Sequence, residues 1–185
     1  MFEDFHEKCY LCEQDNLQSI EVEHLLPHHN GTDIDRKFEW DNLFLSCSHC
    51  NSVKKRRQYE ANIIDCCKMN PEEMIHHELR EGKVKITAIV DIEEAKNTAS
   101  LVQDCFELRN HAIRTKESQN KVRDLQAAMN TLYKELGKYH KKKTERSLRI
   151  LREMFSRKHK FAGFTRAYVR DNTEKYPELK EYVSL

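Results

Sequence analysis

The sequence predicts an α+β fold, with a small β-containing segment near the amino terminus followed by a mainly helical carboxy-terminal half. Two short stretches before residue 50 have the apolar patterns of strands, whereas apolar residues after residue 90 recur every three or four positions, as in helices. Of the 185 residues, 38% are hydrophobic and 34% are charged, which favours a modest core under a charged surface. We divide the chain into residues 1–70 and residues 71–185.

Two strands followed by a helix are expected in the first segment. Residues 19–24 alternate apolar and polar side chains, with Ile20 and Val22 on one face of the predicted strand. Residues 42–45 predict a second short strand. The stretch from about 51 to 59 is rich in Lys, Arg and Gln and has no Gly or Pro, which favours a helix. We also expect a short helix over residues 2–8 and a loop over residues 27–31.

The second segment is predicted to contain one strand among several helices. Pro71 followed by two glutamates predicts the start of a helix, and Glu81-Gly82 predicts its end. Residues 84–90 alternate and predict a strand. Further helices are expected at about 91–110, 117–139, 144–158 and 164–171. One apolar stripe runs along the helix over 117–139, and we expect it to form core, with a partner interface as the alternative: Val122, Leu125, Met129, Leu132 and Leu136.

Two Cys-x-x-Cys pairs, Cys9/Cys12 and Cys47/Cys50, are separated by 34 residues. Each pair can direct two sulfurs at one ion, and two pairs complete the tetrahedron that structural zinc prefers. Disulfides are the alternative in a secreted protein, but the sequence has no signal-peptide pattern and no run of 18 apolar residues. We therefore expect a zinc site in a soluble cytoplasmic protein that makes no membrane contact. The other cysteines are expected to be buried or half-buried thiols: Cys66, Cys67 and Cys105.

Chemically reactive residue types lie between the cysteine pairs and directly after them. The runs that carry them are Glu-His-Leu-Leu-Pro from Glu23, Trp-Asp-Asn-Leu-Phe-Leu-Ser-Cys from Trp40, and Cys-Asn-Ser-Val-Lys from Cys50. These runs resemble the HNH endonucleases, and the resemblance is specific over residues 9–54. It implies a ββα-metal finger, often stabilised by a structural zinc, followed here by the mainly helical half.

The resemblance also implies a role for four residues of the finger. His24 corresponds to the general base, Asn42 to the asparagine that orients the loop carrying that base, and Glu23 and Asn51 to the ligands of a catalytic magnesium or manganese ion. Asn51 is a departure, because histidine is the signature residue at this position. An amide oxygen is an acceptable ligand for a hard cation, so the departure favours magnesium over a soft metal.

Phosphodiester hydrolysis requires these residue types for physical reasons. An imidazole has an ordinary pKa of about 6.5, so a neutral histidine can accept a proton from water near pH 7. A divalent ion can polarise the phosphate and stabilise the departing 3′ oxygen. Adjacent residues of a regular strand point to opposite faces, so Glu23 and His24 cannot share one face. The resemblance implies that they lie at a strand end, where a bend brings both to the site.

Two classes of function remain open from the sequence. The first is a metal-dependent HNH endonuclease that cleaves nucleic acid, with DNA favoured over RNA. The second is a non-catalytic zinc-ribbon module that binds nucleic acid or protein. The combination of Glu23-His24, Asn42 and Asn51 favours the enzyme, because a binding module needs no base beside a metal-binding acid.

The net charge of +1 conceals two regions of opposite charge. Residues 1–50 contain 3 Lys/Arg and 11 Asp/Glu, a balance of −8, whereas residues 134–170 contain 13 and 3, a balance of +10. An acidic finger should repel a polyanion, so we expect phosphate contacts from basic residues elsewhere. The alternative for these residues is a solvated surface without a ligand. The candidates are Lys54, Lys55, Arg56, Arg57, Lys141, Lys142, Lys143 and Arg146. Within this basic tract the spacing of Leu148, Leu151, Met154 and Phe155 predicts a helix with one buried apolar face.

The order of the two parts also resembles a particular group of HNH proteins. A finger near the amino terminus followed by a helical half is similar to the PtuB-type HNH proteins of bacterial Septu-like anti-phage systems. These proteins work beside an ABC-type ATPase of the PtuA type. The resemblance therefore implies an anti-phage effector nuclease whose helical half contacts such an ATPase.

Overall fold

The computed structural model describes residues 1–107 and 112–185, and the side chains of all of these except Arg57 and residues 112–114. The predicted α+β class is confirmed. Two separate two-stranded antiparallel sheets are formed within the first half of the described chain, and helices dominate the second half.

The first sheet pairs β1, Ile20–His24, with β2, Leu43–Cys47, and places Val22 opposite Leu45. A short helix, α1, covers Ile34–Phe38 between the strands, and α2, Ser48–Lys54, follows β2 directly. The predicted order of strand, strand and helix is therefore confirmed. The helix ends earlier than predicted, and a 3₁₀ turn at Arg57–Tyr59 follows it.

One expectation for this segment is wrong, and the burial of β1 adds a feature that the sequence did not indicate. Residues 2–8 form a series of turns rather than a helix, with positive φ angles at His6 and Glu7 that interrupt helical geometry. On β1, the apolar side chains of Ile20 and Val22 are exposed, whereas Glu23 is buried. Glu23 is buried where Tyr10 and Lys54 bind its carboxylate, whereas Glu21 on the same face of the strand is exposed.

The prediction of a helix after Pro71 is wrong. Pro71–Glu73 form only a 3₁₀ turn, and a hairpin follows, with β3 at Ile75–Arg80 and β4 at Lys83–Ala88. Glu81 and Gly82, expected to end a helix, have φ angles of 52° and 73° and form the two-residue turn of this hairpin. Residues of β3 alternate in burial, and burial lowers the pKa of the inward-facing His77 to about 4.

The helices of the second half largely follow the predicted order. They are α3 at Glu93–Glu107, α4 at Ala112–Lys141, α5 at Glu145–Phe155, α6 at Ala162–Asp171 and α7 at Lys180–Val183. The predicted end of α3 near residue 110 lies outside the described residues. Four members of the apolar stripe on α4 are at most 1% exposed, so the stripe forms core rather than a partner interface: Leu125, Met129, Leu132 and Leu136.

The finger and the helical half share one apolar core, which includes Phe44 from β2 and Phe161 next to α6. Polar contacts join them as well. The ammonium of Lys8 donates to the carbonyl of Arg157 at 2.7 Å, and the backbone N–H of Gly163 donates to the carboxylate of Glu13 at 2.8 Å. The finger is therefore held in a fixed position against the helices. Among the described residues, no helix is both long and apolar enough to cross a membrane.

Candidate functional site

The four paired cysteines converge on one point. The sulfurs of Cys9, Cys12, Cys47 and Cys50 all lie within 4.8 Å of one another, and all four side chains are buried. A tetrahedron with zinc–sulfur bonds of about 2.3 Å has sulfurs about 3.8 Å apart. The four predicted ligands are therefore brought together by the turn at residues 9–12, the end of β2 and the first turn of α2.

The chemistry of this cluster fits zinc. Burial raises the pKa of the thiols of Cys9, Cys12 and Cys50, whereas hydrogen bonds from the neighbouring thiols, that of Cys12 foremost, lower the pKa of Cys47. Four buried sulfurs can become thiolates together only when cations offset their charge, and a soft divalent ion supplies that charge. The same four residues would hold the ion, whose contribution is to stabilise the fold.

A lysine from α4 contributes a further positive charge to the cluster. The ammonium of Lys121 lies 3.2 Å from the sulfur of Cys12 and 3.2 Å from that of Cys47, and only 5% of the side chain is exposed. Burial opposes the charge of Lys121, but the surrounding sulfurs outweigh it and raise its pKa. Sequence analysis missed this residue, because nothing in a solitary lysine on a long helix indicates a contact 109 residues away.

His49 is a second connection between the zinc knuckle and the helices. The residue is buried, with its Nδ1 2.9 Å from the carboxylate of Glu117 and its Nε2 2.9 Å from the carbonyl of Cys105. The zinc end of the finger is consequently enclosed by α3 and α4.

Of the other cysteines, Cys105 is buried, Cys66 is half-buried and Cys67 is exposed.

The carboxylate of Glu23 is fully engaged at the other end of the finger. One oxygen accepts a hydrogen bond from the phenol of Tyr10 at 2.6 Å, and the other pairs with the ammonium of Lys54 at 2.7 Å. Glu23 and Lys54 are each only 5% exposed. Burial, together with the charge of Glu23, raises the pKa of Tyr10, so the phenol remains a donor.

His24 lies on the opposite, partly exposed face of β1. Its Nε2 is 3.1 Å from the carbonyl oxygen of Lys37. A carbonyl can only accept, so Nε2 carries the hydrogen and Nδ1 has the free lone pair. The ring of His28 packs edge-on against that of His24 at 4.4 Å between centroids, and the Nδ1 of His28 accepts from the N–H of Gly31.

Asn42 joins the segment that follows β1 to helix α1. Its amide oxygen accepts from the N–H of Leu26 at 2.7 Å, and its amide nitrogen donates to the carbonyls of Leu26 at 3.0 Å and Arg36 at 2.8 Å. The side chain is buried, so these bonds are shielded from water. Asn51, in α2, is also buried, and no described residue makes a hydrogen bond with its side chain.

The basic run after the finger departs from expectation. Lys54 is not an exposed phosphate contact, because it is buried and its ammonium also donates to the carbonyls of His24 at 2.9 Å and Leu25 at 3.0 Å. Arg56 is half-buried and pairs with Asp104 at 3.2 Å, whereas Lys55 is exposed. The side chain of Arg57 lies outside the described part of the structure.

The second basic group is on the surface of the helical half. Lys141, Lys142, Lys143 and Arg146 are all exposed at the junction of α4 and α5, and Lys143 pairs with Glu178 at 2.6 Å. Helix α5 buries Leu151, Met154 and Phe155 against the protein. The predicted apolar face of this helix is confirmed, with Leu148 half-buried at its margin.

Comparison with known proteins supports a class for the finger. Residues 9–57 match the family model of HNH endonuclease. This range contains both cysteine pairs, β1, β2 and α2, and the match supports a nuclease of the HNH type that acts on nucleic acid. No curated protein and no solved structure matches the chain.

Proposed function

We propose that this protein is a metal-dependent HNH endonuclease that hydrolyses phosphodiester bonds, with DNA as the favoured substrate. The observation that carries the proposal is the hydrogen bond of the His24 ring, which sets its tautomer. Within a segment that matches the HNH family, Lys37 holds Nε2 as the donor and leaves Nδ1 as a base on a partly exposed face.

In this mechanism, Nδ1 of His24 accepts a proton from a water molecule as the water attacks phosphorus. The tautomer matters because only an unprotonated ring nitrogen can act as the base. Asn42 is proposed to position His24, since it connects the strand end at Leu26 to the segment that contains Lys37. Fixing the ring in advance lowers the entropy cost of reaching the reactive geometry.

Glu23 and Asn51 would hold the catalytic magnesium or manganese ion. Carboxylate and amide oxygens are the donors that these hard cations prefer, and the Asn51 side chain has no competing partner among the described residues. When bound, such an ion supplies charge stabilisation for the phosphate and the leaving oxygen. Glu23 pairs with Lys54 in this structure, so occupation of the site requires the carboxylate to exchange this ammonium.

Phosphate contacts outside the reacting group are proposed for the exposed Lys55 and for the basic residues at the junction of α4 and α5. Their exposure and their positive charge support this role. Arg56 and Arg57 remain candidates by sequence alone.

The proposal is tested by cleavage assays on His24→Ala, with His29→Ala, in the segment that follows β1, as the matched control. Loss of a general base should lower the rate by about 10²- to 10⁴-fold, whereas exposed His29 should be replaceable. Cleavage should require added magnesium or manganese, and zinc content should be unchanged in both variants. Full activity of His24→Ala would place the base elsewhere.

The second candidate is the non-catalytic zinc-ribbon module. The engagement of both Glu23 oxygens favours it, since a carboxylate occupied by Tyr10 and Lys54 is not free to bind a cation. This candidate predicts binding without cleavage for the wild-type protein with every divalent ion offered.

The biological role is proposed to be that of an anti-phage effector acting with an ABC-type ATPase. The support is the order of a finger followed by a helical half, and the exposed surface of α5 offers room for such a partner. Copurification with the product of a neighbouring ATPase gene would test this role, and a nuclease active at full rate alone would count against it.

A further inference from the structure

His28 is in direct contact with the candidate base His24. The centroids of the two rings are 4.4 Å apart, and the ring planes are inclined by 64°. Both side chains are half-buried, so solvent reaches each of them. A phosphate whose attacking water is in reach of His24 therefore lies within a few ångströms of the His28 ring.

The loop after β1 fixes the orientation of the His28 ring. The backbone N–H of Gly31 donates to Nδ1 of His28 at 2.8 Å and to the carbonyl oxygen of the same residue at 3.0 Å. Positive φ angles of 47°, 57° and 87° follow at His29, Asn30 and Gly31. Residues other than glycine adopt this conformation at a cost in free energy, and here it returns the N–H of Gly31 to the ring. The side chain is therefore oriented before any ligand binds.

The contact with Gly31 determines the tautomer of His28. An N–H group can only donate, so Nδ1 is the acceptor and the single hydrogen of the neutral ring is on Nε2. No residue in the described part of the chain accepts a hydrogen bond from this Nε2–H. In His24 the roles are reversed, because Nε2–H donates to the carbonyl of Lys37 and Nδ1 is open. The two rings therefore present one free acceptor and one free donor next to each other.

We propose that Nε2–H of His28 donates a hydrogen bond to a non-bridging oxygen of the phosphate that is cleaved. The inference rests on the proposed nuclease function and assigns a second side chain to its reaction. Water gives its proton to Nδ1 of His24 as it attacks, and the bond between phosphorus and the 3′ oxygen breaks. A donor fixed in advance stabilises the charge that the phosphate oxygens carry during this step. His28 keeps its hydrogen, so the departing 3′ oxygen takes its proton from solvent.

The same contact argues against two other roles for His28. A general base needs a free lone pair, and the lone pair of Nδ1 is occupied by the N–H of Gly31. A general acid would have to be the charged ring, which needs a hydrogen on both nitrogens and therefore the loss of this bond. Donation without proton transfer is the role that leaves the observed hydrogen bond intact.

The test compares the cleavage rates of His28→Phe and His28→Gln. Phenylalanine keeps a ring against His24 but has no hydrogen to donate. It should lower kcat by about 100-fold, the smaller end of the loss for one preorganised donor, because this site is open to water. KM should change less than kcat, since the bond strengthens as charge develops. His28→Gln should be about tenfold faster than His28→Phe, because its amide N–H is still a donor.

His29→Asn is the matched control, because His29 is the neighbouring histidine, is exposed, and has a positive φ that asparagine tolerates. It should retain the wild-type kcat. Wild-type kcat in His28→Phe would overturn the proposal. Equal losses in His28→Phe and His28→Gln would overturn it too, and would assign His28 to the packing of the loop. Thermal midpoints show whether each variant is folded.

Nuclear magnetic resonance of the wild-type protein with isotope-labelled histidine gives a readout that does not depend on activity. In mildly alkaline buffer the hydrogen of His28 should be on Nε2, and a hydrogen on Nδ1 would overturn the proposal. Cleavage that depends on His24 but not on His28 overturns this inference alone. A wild-type protein that has this tautomer and never cleaves with magnesium or manganese overturns the proposed nuclease, and the role of His28 with it.

Discussion

The two ends of the finger are built in opposite ways. At the zinc end the four cysteines are buried, and residues of α3 and α4 complete their surroundings through Lys121 and His49. At the end that carries His24, the hydrogen bonds of Glu23, His24 and Asn42 come from the finger itself, and His24 remains partly exposed.

This difference separates stability from access. A buried metal site contributes its binding energy to the fold, and it can do so only where water and other ligands are excluded. A hydrolytic site must admit water and a large anion. Its residues therefore need hydrogen bonds on their buried side and must remain exposed to solvent on the other side. The strands β1 and β2 connect the two ends, and the enclosed zinc end can therefore keep the open end in place.

The largest expected effect is at the zinc end. Cys50→Ser should abolish zinc binding and unfold the finger, because structural zinc contributes apparent free energies of about 10 to 16 kcal/mol to small domains. Metal analysis should find about one zinc per chain in the wild-type protein and none in the variant, and circular dichroism should report the loss of structure. Cys67→Ser, outside the cluster and exposed, should behave as wild type. A folded, active Cys50→Ser protein without zinc would contradict the four-cysteine site.

A smaller loss is expected for Lys54→Met at the other end. The change leaves the carboxylate of Glu23 buried without its ammonium, which typically lowers the free energy of unfolding by about 3 to 5 kcal/mol. Urea unfolding measures the loss, and exposed Lys55→Met should remain within about 0.5 kcal/mol of wild type. Adding Glu23→Gln to Lys54→Met should recover part of the stability. An unchanged Lys54→Met protein would mean that the pair is open to solvent.

A further loss is expected for Lys121→Met, which removes the positive charge that α4 places beside the cysteine sulfurs. Removal of a group that contacts the ligands of a metal typically costs 10- to 100-fold in affinity. Competition with a chelator should show this loss, while Lys116→Met, an exposed lysine on the same helix, should retain wild-type affinity. Equal zinc affinity in the two variants would show that the charge of Lys121 is not needed.

The smallest effect is expected on the exposed basic surface. Replacing Lys141, Lys142, Lys143 and Arg146 with glutamine should reduce the slope of log affinity against log salt by up to about 3.6, since each phosphate contact accounts for about 0.9. Lys83→Gln with Lys85→Gln, on β4, provides the control. Nucleic-acid binding measured over a range of salt concentrations decides the matter, and an unchanged slope would assign this surface to solvent or to a protein partner.

The four-cysteine cluster and the order of strand, strand and helix could be predicted because both depend on local spacing. Cys-x-x-Cys directs two sulfurs to one point in any context, and alternation in residues 19–24 indicates a strand before any tertiary contact is known. The other residues of the candidate site were predicted from the resemblance of the runs around Glu23, Asn42 and Asn51 to the HNH endonucleases.

The wrong predictions arose where long-range contacts outweighed local preference. Pro71 and its glutamates have the pattern of a helix start, yet the chain after them pairs as β3 and β4 because the hairpin can pack an alternating face against the core. Lys54 is one of a run of four basic residues, and only the buried carboxylate of Glu23 distinguishes it from its neighbours.

By itself, the sequence determined the α+β class, the clustering of the four paired cysteines and the opposite charges of residues 1–50 and 134–170, since each depends on composition or on spacing within a few residues. Only the tertiary structure decided the partners of Glu23 and the tautomers of His24 and His28. These features depend on which groups are in contact across the fold. The energy of a buried ion pair or hydrogen bond is set by the geometry and burial of both partners rather than by either residue alone.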